Sequence, residues 1–133
     1  MDDYEKSIKR HCGRVGAIEV FLSGPGLENW YEFCTGIKKN SREVVGLFRD
    51  GENEATKIMD KYFERTARAF STFVNILDPD VIVLGGGMSD IDEIYNEIPK
   101  KIIPYLASDI FSTPITKAEH GSSSGVRGAA HLW

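Results

Sequence analysis

The clearest signal in the order of apolar and polar residues is a stripe at Ala55, Ile58, Met59, Tyr62, Phe63, Ala67, Phe70, Val74 and Leu77, which steps by three and four. That period predicts one long core helix. Lys57, Lys61, Glu64, Arg65 and Arg68 fall largely on its polar side. Asp78-Pro79 stops the helix, because the residue before a proline is pushed out of helical dihedrals. Upstream, an apolar stretch from Ala17 to Leu22 is closed by the turn signal Ser23-Gly24-Pro25-Gly26. Leu27, Trp30, Tyr31 and Cys34 recur at helical spacing, with Gly36 as the stop. Asn40 and Glu43 stand at capping-box spacing before Val44, Val45, Leu47 and Phe48, a short helix ended by Asp50-Gly51. Residues 1–10 carry no period and read as a poorly supported leading segment.

Beyond the long helix the pattern changes. Val81-Ile82-Val83-Leu84 is unbroken and β-branched, which predicts a strand buried on both faces. Gly85-Gly86-Gly87 follows at once, and Ser89-Asp90-Ile91-Asp92 then opens a helix with capping chemistry. Ile91, Ile94, Tyr95 and Ile98 form its apolar face. Pro99 is expected to begin a second short helix with Ile102, Ile103 and Leu106 turned inward. Pro114 to Ala118 reads as a second strand, and Gly121-Ser122-Ser123-Ser124-Gly125 as a loop into a small-residue helix. Helix, strand, glycine loop and helix in alternation make an α/β class, helix-rich with a small sheet.

A buried strand running into three glycines and a capped helix is a place where a ligand can lie against backbone. Glycines clear the side chains from the approach, and a helix start offers N–H groups to an anion. The pattern is short of the full dinucleotide fingerprint, and no Gly-Lys-Ser/Thr phosphate loop occurs. A plain strand-to-helix turn is the competing reading.

Composition narrows the classes. The 133 residues hold 16 Lys+Arg against 20 Asp+Glu, a net charge of -4 with no basic block, which argues against a nucleic-acid partner. Hydrophobic residues at 41% and charged residues at 27% fit an ordinary globular domain and exclude wholesale disorder. The length suits a single domain over 1–133. No apolar run approaches the ~18 residues of a membrane span, so no membrane association is expected, and no leader pattern opens the chain, so secretion is not expected. Cys12 and Cys34 make no disulfide framework and fit a reducing compartment, so a cytoplasmic setting is expected.

Three motifs in order carry a family resemblance. The run Asn75-Ile76-Leu77-Asp78-Pro79-Asp80-Val81-Ile82-Val83-Leu84-Gly85-Gly86-Gly87-Met88 resembles the C-terminal half of bacterial ROK-family sugar kinases, particularly fructokinase or mannokinase. His120 to Ala130 resembles the same family's C-terminal tail. Cys12-Gly13-Arg14-Val15-Gly16-Ala17-Ile18-Glu19 resembles a worn form of its cysteine motif. The resemblance implies the C-terminal lobe of an actin-like, ribonuclease-H-like ATPase fold. It implies that Gly85, Gly86 and Gly87 line the adenosine side of an ATP site, and that Glu19 binds sugar hydroxyls. A carboxylate suits that task because it accepts from two neighbouring hydroxyls through charge-assisted bonds.

What the family needs for phosphoryl transfer is absent from these residues. Its Asp-x-Gly-Gly-Thr phosphate cradle and the Asp that takes the hydroxyl proton belong to the N-terminal lobe, and neither motif occurs here. No catalytic residue is therefore assigned, and the chain alone is expected to be inactive. The complete enzyme would use ATP and magnesium on a hexose, with fructose as the expected sugar, and the missing N-terminal lobe is the implied partner. Zinc is not expected. The motif's first cysteine is Arg10, its third is Ala17, His11 is out of register and only Cys12 remains, whereas structural zinc takes four ligands. The alternative is a non-catalytic lobe that binds a partner or forms a homodimer. Part of the aromatic stripe Tyr62, Phe63, Phe70 and Phe73 is available for such an interface. Cys34 is expected as a buried small hydrophobe. His120 reads as a loop histidine, Arg127 as a surface ion-pair member, and Ser122 to Ser124 as starters of the last helix.

Overall fold

The computed structural model describes Tyr4, Ile8, Gly13 and residues 16–131. The chain divides into two compact units, Met1–Arg65 and Thr66–Trp133.

In the first unit, α1 (Ile18–Leu22) leads directly into α2 (Gly24–Thr35). The residues that read as a turn, Ser23 to Gly26, instead start α2. The Ser23 hydroxyl accepts from the Gly26 N–H at 3.2 Å, and Pro25 stands in the first helical turn, where it gives up no bond. Gly26 is fixed by packing, since a Cβ there would lie 2.3 Å from the Val20 carbonyl oxygen. Gly36 ends α2 at φ 71°, the left-handed cap that glycine adopts freely.

The capping box before α3 (Ser41–Arg49) forms as its spacing predicts. Glu43 N–H donates to Asn40 Oδ1 at 3.0 Å and Asn40 N–H donates to Glu43 Oε2 at 2.9 Å. Glu28 reaches from α2 to accept the Ser41 N–H at 2.9 Å, which ties the two helices together. The long stripe becomes α4 (Asn53–Leu77), with Ala55, Ile58, Met59, Tyr62 and Phe63 buried against Leu27, Tyr31, Val44 and Val45 in the core of this unit. The Tyr62 hydroxyl donates to the Leu22 carbonyl at 3.0 Å, so even the polar end of that ring is satisfied.

Two expectations fail here. Arg65, placed on the polar side, is 4% exposed, and its guanidinium stands 4.2 Å from the Trp30 ring centroid. A planar, weakly hydrated cation is accepted by aromatic faces, which explains how a charge enters this layer. Cys34, expected in the core, is exposed, because α2 turns Leu27 and Tyr31 inward and leaves Cys34 at the rim.

In the second unit, α4 continues through buried Ala67 and Ser71 and stops at Asp78, which takes a positive φ of 42° before Pro79. The strand β1 (Ile82–Leu84) pairs in parallel with β2 (Ile115–Lys117), in the register Ile82↔Ile115, Val83↔Thr116 and Leu84↔Lys117. Between them lie a 3-10 turn (Gly87–Asp90), α5 (Ile94–Ile102) and a second 3-10 turn (Ile103–Tyr105). A short turn at Gly121–Ser123 leads to α6 (Ser124–Ala130).

β1 is not buried on both faces. Val83 is 59% exposed and the flanking Ile82 and Leu84 are only half-buried. The helix expected from Ser89 starts instead at Ile94, because Ser89 turns back on Gly86 in a 3-10 bend. Pro99 does not open a new helix but lies inside α5. Ile94, Ile98 and Ile102, one turn apart and at most 2% exposed, hold that helix across the missing N–H. Ile102 is inward as expected, while Ile103 is 42% exposed. The Asn75 side chain ties α4 to the following segment, donating to the Tyr105 carbonyl and accepting from the Ala107 N–H, both at 2.9 Å.

Candidate functional site

Because β1 and β2 are parallel, their carboxyl ends lie side by side, and the two turns that follow them become neighbours. In open α/β sheets this is the edge where ligands bind. Leu84 closes the ladder by accepting the Ala118 N–H at 2.8 Å, and Gly121 N–H then turns back to the Ala118 carbonyl at 3.0 Å. A Cβ built on Gly85 would sit 3.8 Å from the Ala118 Cβ and 3.9 Å from the Gly121 carbonyl oxygen, which is ordinary contact distance.

The three glycines have different physical reasons. Gly86 adopts φ 83° and ψ 179°, a region essentially restricted to glycine. Its carbonyl is anchored from beneath by Ser89, whose hydroxyl donates at 2.6 Å and whose N–H donates at 3.2 Å. Ser89 is 2% exposed, so this anchor is dry. The Ser89 carbonyl in turn accepts the Tyr95 hydroxyl at 2.8 Å. Gly87 has no such constraint. A Cβ on it or on Gly86 would meet nothing within 4 Å, and the exposed outer side of the turn is open space.

Charge at the site is balanced locally. Lys117, at the end of β2, pairs with Asp90 at 2.7 Å, and this hydrogen bond raises the lysine pKa above its ordinary value. Desolvation raises the Tyr95 phenol, with Lys117 opposing and Asp90 and Asp92 adding to the shift. Tyr95 therefore stays a neutral donor at physiological pH. Lys117 beside the turn is already held by the Asp90 carboxylate, which suits an uncharged ring system better than a string of phosphates.

Of the residues singled out from sequence, Gly85, Gly86 and Gly87 come together as one exposed turn in the second unit. Glu19 lies in α1 of the first unit, exposed, with its backbone carbonyl accepting the Ser23 N–H at 3.2 Å. Cys12 falls outside the described residues. No group of three or more His, Cys, Asp or Glu side chains that could hold a metal occurs among the described residues. No described helix is long and apolar enough to cross a membrane. His120 and Arg127 are exposed. α6 does start at Ser124, but Ser123 provides no side-chain cap. Its hydroxyl donates to the His120 carbonyl at 2.8 Å instead.

Sequence reasoning missed three parts of this site: the Gly121–Ser123 turn as a second wall, the Ser89 anchor, and the Lys117–Asp90 pair. The Gly86-x-x-Ser89 spacing carried the second, since a hydroxyl three residues on reaches back to its own turn.

A sequence model of the ROK family matches residues 3–133. The N-acetyl-D-glucosamine kinase of Vibrio atlanticus is 43% identical over 121 residues, 91% of this chain and 40% of that protein. The enzyme of the same name from Vibrio cholerae is 40% identical over the same shares. The chain thus spans about 40% of the length of the curated relatives it matches. Among solved structures, a ROK hexokinase from Thermus thermophilus superposes with a TM-score of 0.79 at 25% identity, over 95% of this chain and 43% of that one. A ROK glucokinase from Streptomyces griseus, solved with glucose and AMPPNP, gives 0.76 at 20% identity, over 96% and 50%. The actin-like fold expected from sequence is the fold of these neighbours. With the family model covering nearly its whole length, the chain belongs to the ROK family.

Proposed function

We propose that these residues form the C-terminal lobe of an ATP-dependent sugar kinase, with Gly85, Gly86 and Gly87 receiving the adenosine end of the nucleotide. The observation that carries this reading is the turn after β1, where Gly87 has neither a backbone need for glycine nor a neighbour that a Cβ would strike. The clearance lies outside the turn, at the carboxyl end of a parallel strand pair. A flat base or ribose can approach backbone there without displacing a side chain.

In this reading Glu19 accepts hydrogen bonds from sugar hydroxyls, which a carboxylate does through two oxygens at once. ATP supplies the phosphoryl group and magnesium accompanies it, with no described residue offered as the metal's ligand. The proton acceptor and the phosphate cradle belong to the other lobe, so this chain alone transfers no phosphate. Zinc does not fit, since the donor set of the motif is reduced to Cys12. The names of the relatives move the preferred sugar from fructose to N-acetyl-D-glucosamine.

The test is a chimaera in which this chain replaces the matching part of the Vibrio atlanticus kinase. It should phosphorylate N-acetyl-D-glucosamine from ATP in preference to fructose, and Glu19→Gln should lower kcat/KM at least 10-fold, in line with the loss of a charged hydrogen bond to substrate. A folded chimaera with no sugar phosphorylation would contradict the proposal. Unchanged kinetics in Glu19→Gln would remove that residue from the site.

A further inference from the structure

α1 is too short to stand by itself. It has five residues, no side-chain cap at Ala17 and no buried residue, and a single helical turn costs more in backbone order than its hydrogen bonds return. Its place therefore comes from what touches it. The Tyr62 hydroxyl holds its last carbonyl, at Leu22, and the close approach of Gly26 to Val20 fixes its distance from α2. Both act on the backbone. Phe21 adds a side-chain contact.

The partner of Phe21 is the buried guanidinium of Arg65. The Arg65 Cζ lies 4.2 Å from the centroid of the Trp30 ring, 5.4 Å from that of Tyr4 and 5.7 Å from that of Phe21, within the range of a cation–aromatic attraction. The rings also meet one another, with Tyr4 4.5 Å from Trp30 and, edge-on, 6.4 Å from Phe21. One side chain of α4 thereby gathers α1, α2 and Tyr4 of the leading segment. At 4% exposure the cation is removed from water, where its attraction to the rings is strongest. A planar guanidinium stacks on aromatic faces in a way that a compact ammonium does not.

The consequence reaches Glu19. Residues two apart on a helix stand about 200° apart around its axis, so with Phe21 in the box Glu19 is turned to the outer side, where it is exposed. The cysteine motif ahead of α1 keeps only Cys12 of its donors, so a four-ligand metal site does not fasten this segment. We infer that Arg65 is a positioning residue: with Tyr4, Phe21 and Trp30 it fixes α1, and through α1 the direction of Glu19, by a cation–aromatic box in place of a metal. The last step rests on the reading of Glu19 as a sugar-binding residue.

The experiment has two readouts. In the full 133-residue chain, amide hydrogen exchange is followed at Ser23, whose N–H donates to the Glu19 carbonyl, with the amides of α3 as the folding control. Arg65→Met keeps an apolar stem and removes the cation, and Phe21→Leu keeps an apolar side chain and removes the ring. Each should speed exchange at Ser23 by ~10-fold or more and leave α3 within ~3-fold. If Arg65→Met loosens α3 as well, Phe21→Leu carries the test. Arg65→Lys, which keeps a cation, should recover part of the protection. Melting of the unsubstituted chain should be the same with and without EDTA. In the Vibrio atlanticus chimaera, Arg65→Met should lower kcat/KM for N-acetyl-D-glucosamine ~10-fold and leave the KM for ATP within ~2-fold. Unchanged exchange at Ser23 in both variants would overturn the inference. So would a melting temperature that falls with EDTA, which would return the fastening to a metal. Full sugar kinetics in Arg65→Met beside impaired Glu19→Gln would also overturn it. Full kinetics in both refute the sugar reading of Glu19 alone, and exchange then decides the box, as it does in an inactive chimaera.

Discussion

Gly86 and Gly87 stand next to each other in sequence and differ in what fixes them. At φ 83° and ψ 179° Gly86 occupies backbone space that costs another residue on the order of 1–3 kcal/mol. Gly87 has no positive φ, and a Cβ there meets nothing. Gly86→Ala should therefore lower urea-unfolding stability by about 1–3 kcal/mol, while Gly87→Ala stays within ~0.5 kcal/mol. Equal losses would mean that the turn is held by packing rather than by the dihedral of one residue. Cys34 makes the second case at this scale. The residue is exposed, yet desolvation of the sulfur raises its pKa, with Glu54 adding and Arg65 opposing. A raised thiol pKa means less thiolate at neutral pH, so in a Cys12→Ser background Cys34 should react with a disulfide reagent more slowly than free cysteine. Its rate should rise as pH passes the ordinary thiol range. A fast reaction at pH 6 would contradict the direction of the shift.

At the scale of elements, what was legible in the sequence followed from local chemistry. The capping box of α3, the stripe and proline stop of α4 and the glycine cap of α2 all depend on neighbours within four residues, and all formed where the pattern set them, except that the far end of the stripe at Leu77 is 67% exposed rather than in the core. α5 shows the limit. Pro99 reads as a boundary, but Ile94, Ile98 and Ile102 bury one continuous face and carry the helix through it. Ile98→Ala should consequently destabilise by about 2–5 kcal/mol in denaturant unfolding, because a fully buried side chain leaves a cavity. A loss below ~1 kcal/mol would show that the helix does not rest on that face. The candidate site divides along the same line. The three glycines and the strand before them were visible as a motif, whereas the Gly121–Ser123 wall and the Lys117–Asp90 pair are brought in by pairing over some thirty residues, which no local pattern encodes. The burial of β1 was misread for a related reason. Its composition reports a sheet with cover on every side, and the described residues supply one neighbouring strand.

For the molecule as a whole, the family follows from the match over residues 3–133, and the activity is inferred from a chain that spans less than half of the length of its curated relatives. Everything specific to that inference converges on whether the turn after β1 receives a nucleotide. The direct measurement is a titration of the 15N-labelled chain with ATP, followed through the amide resonances of Gly85, Gly86 and Gly87. Saturable shifts in the millimolar range are expected at these glycines and at Gly121, with the same shifts from adenosine alone, since the local charge favours the uncharged end of the nucleotide. No shift at the glycines, or shifts that need the triphosphate and appear elsewhere, would contradict the assignment.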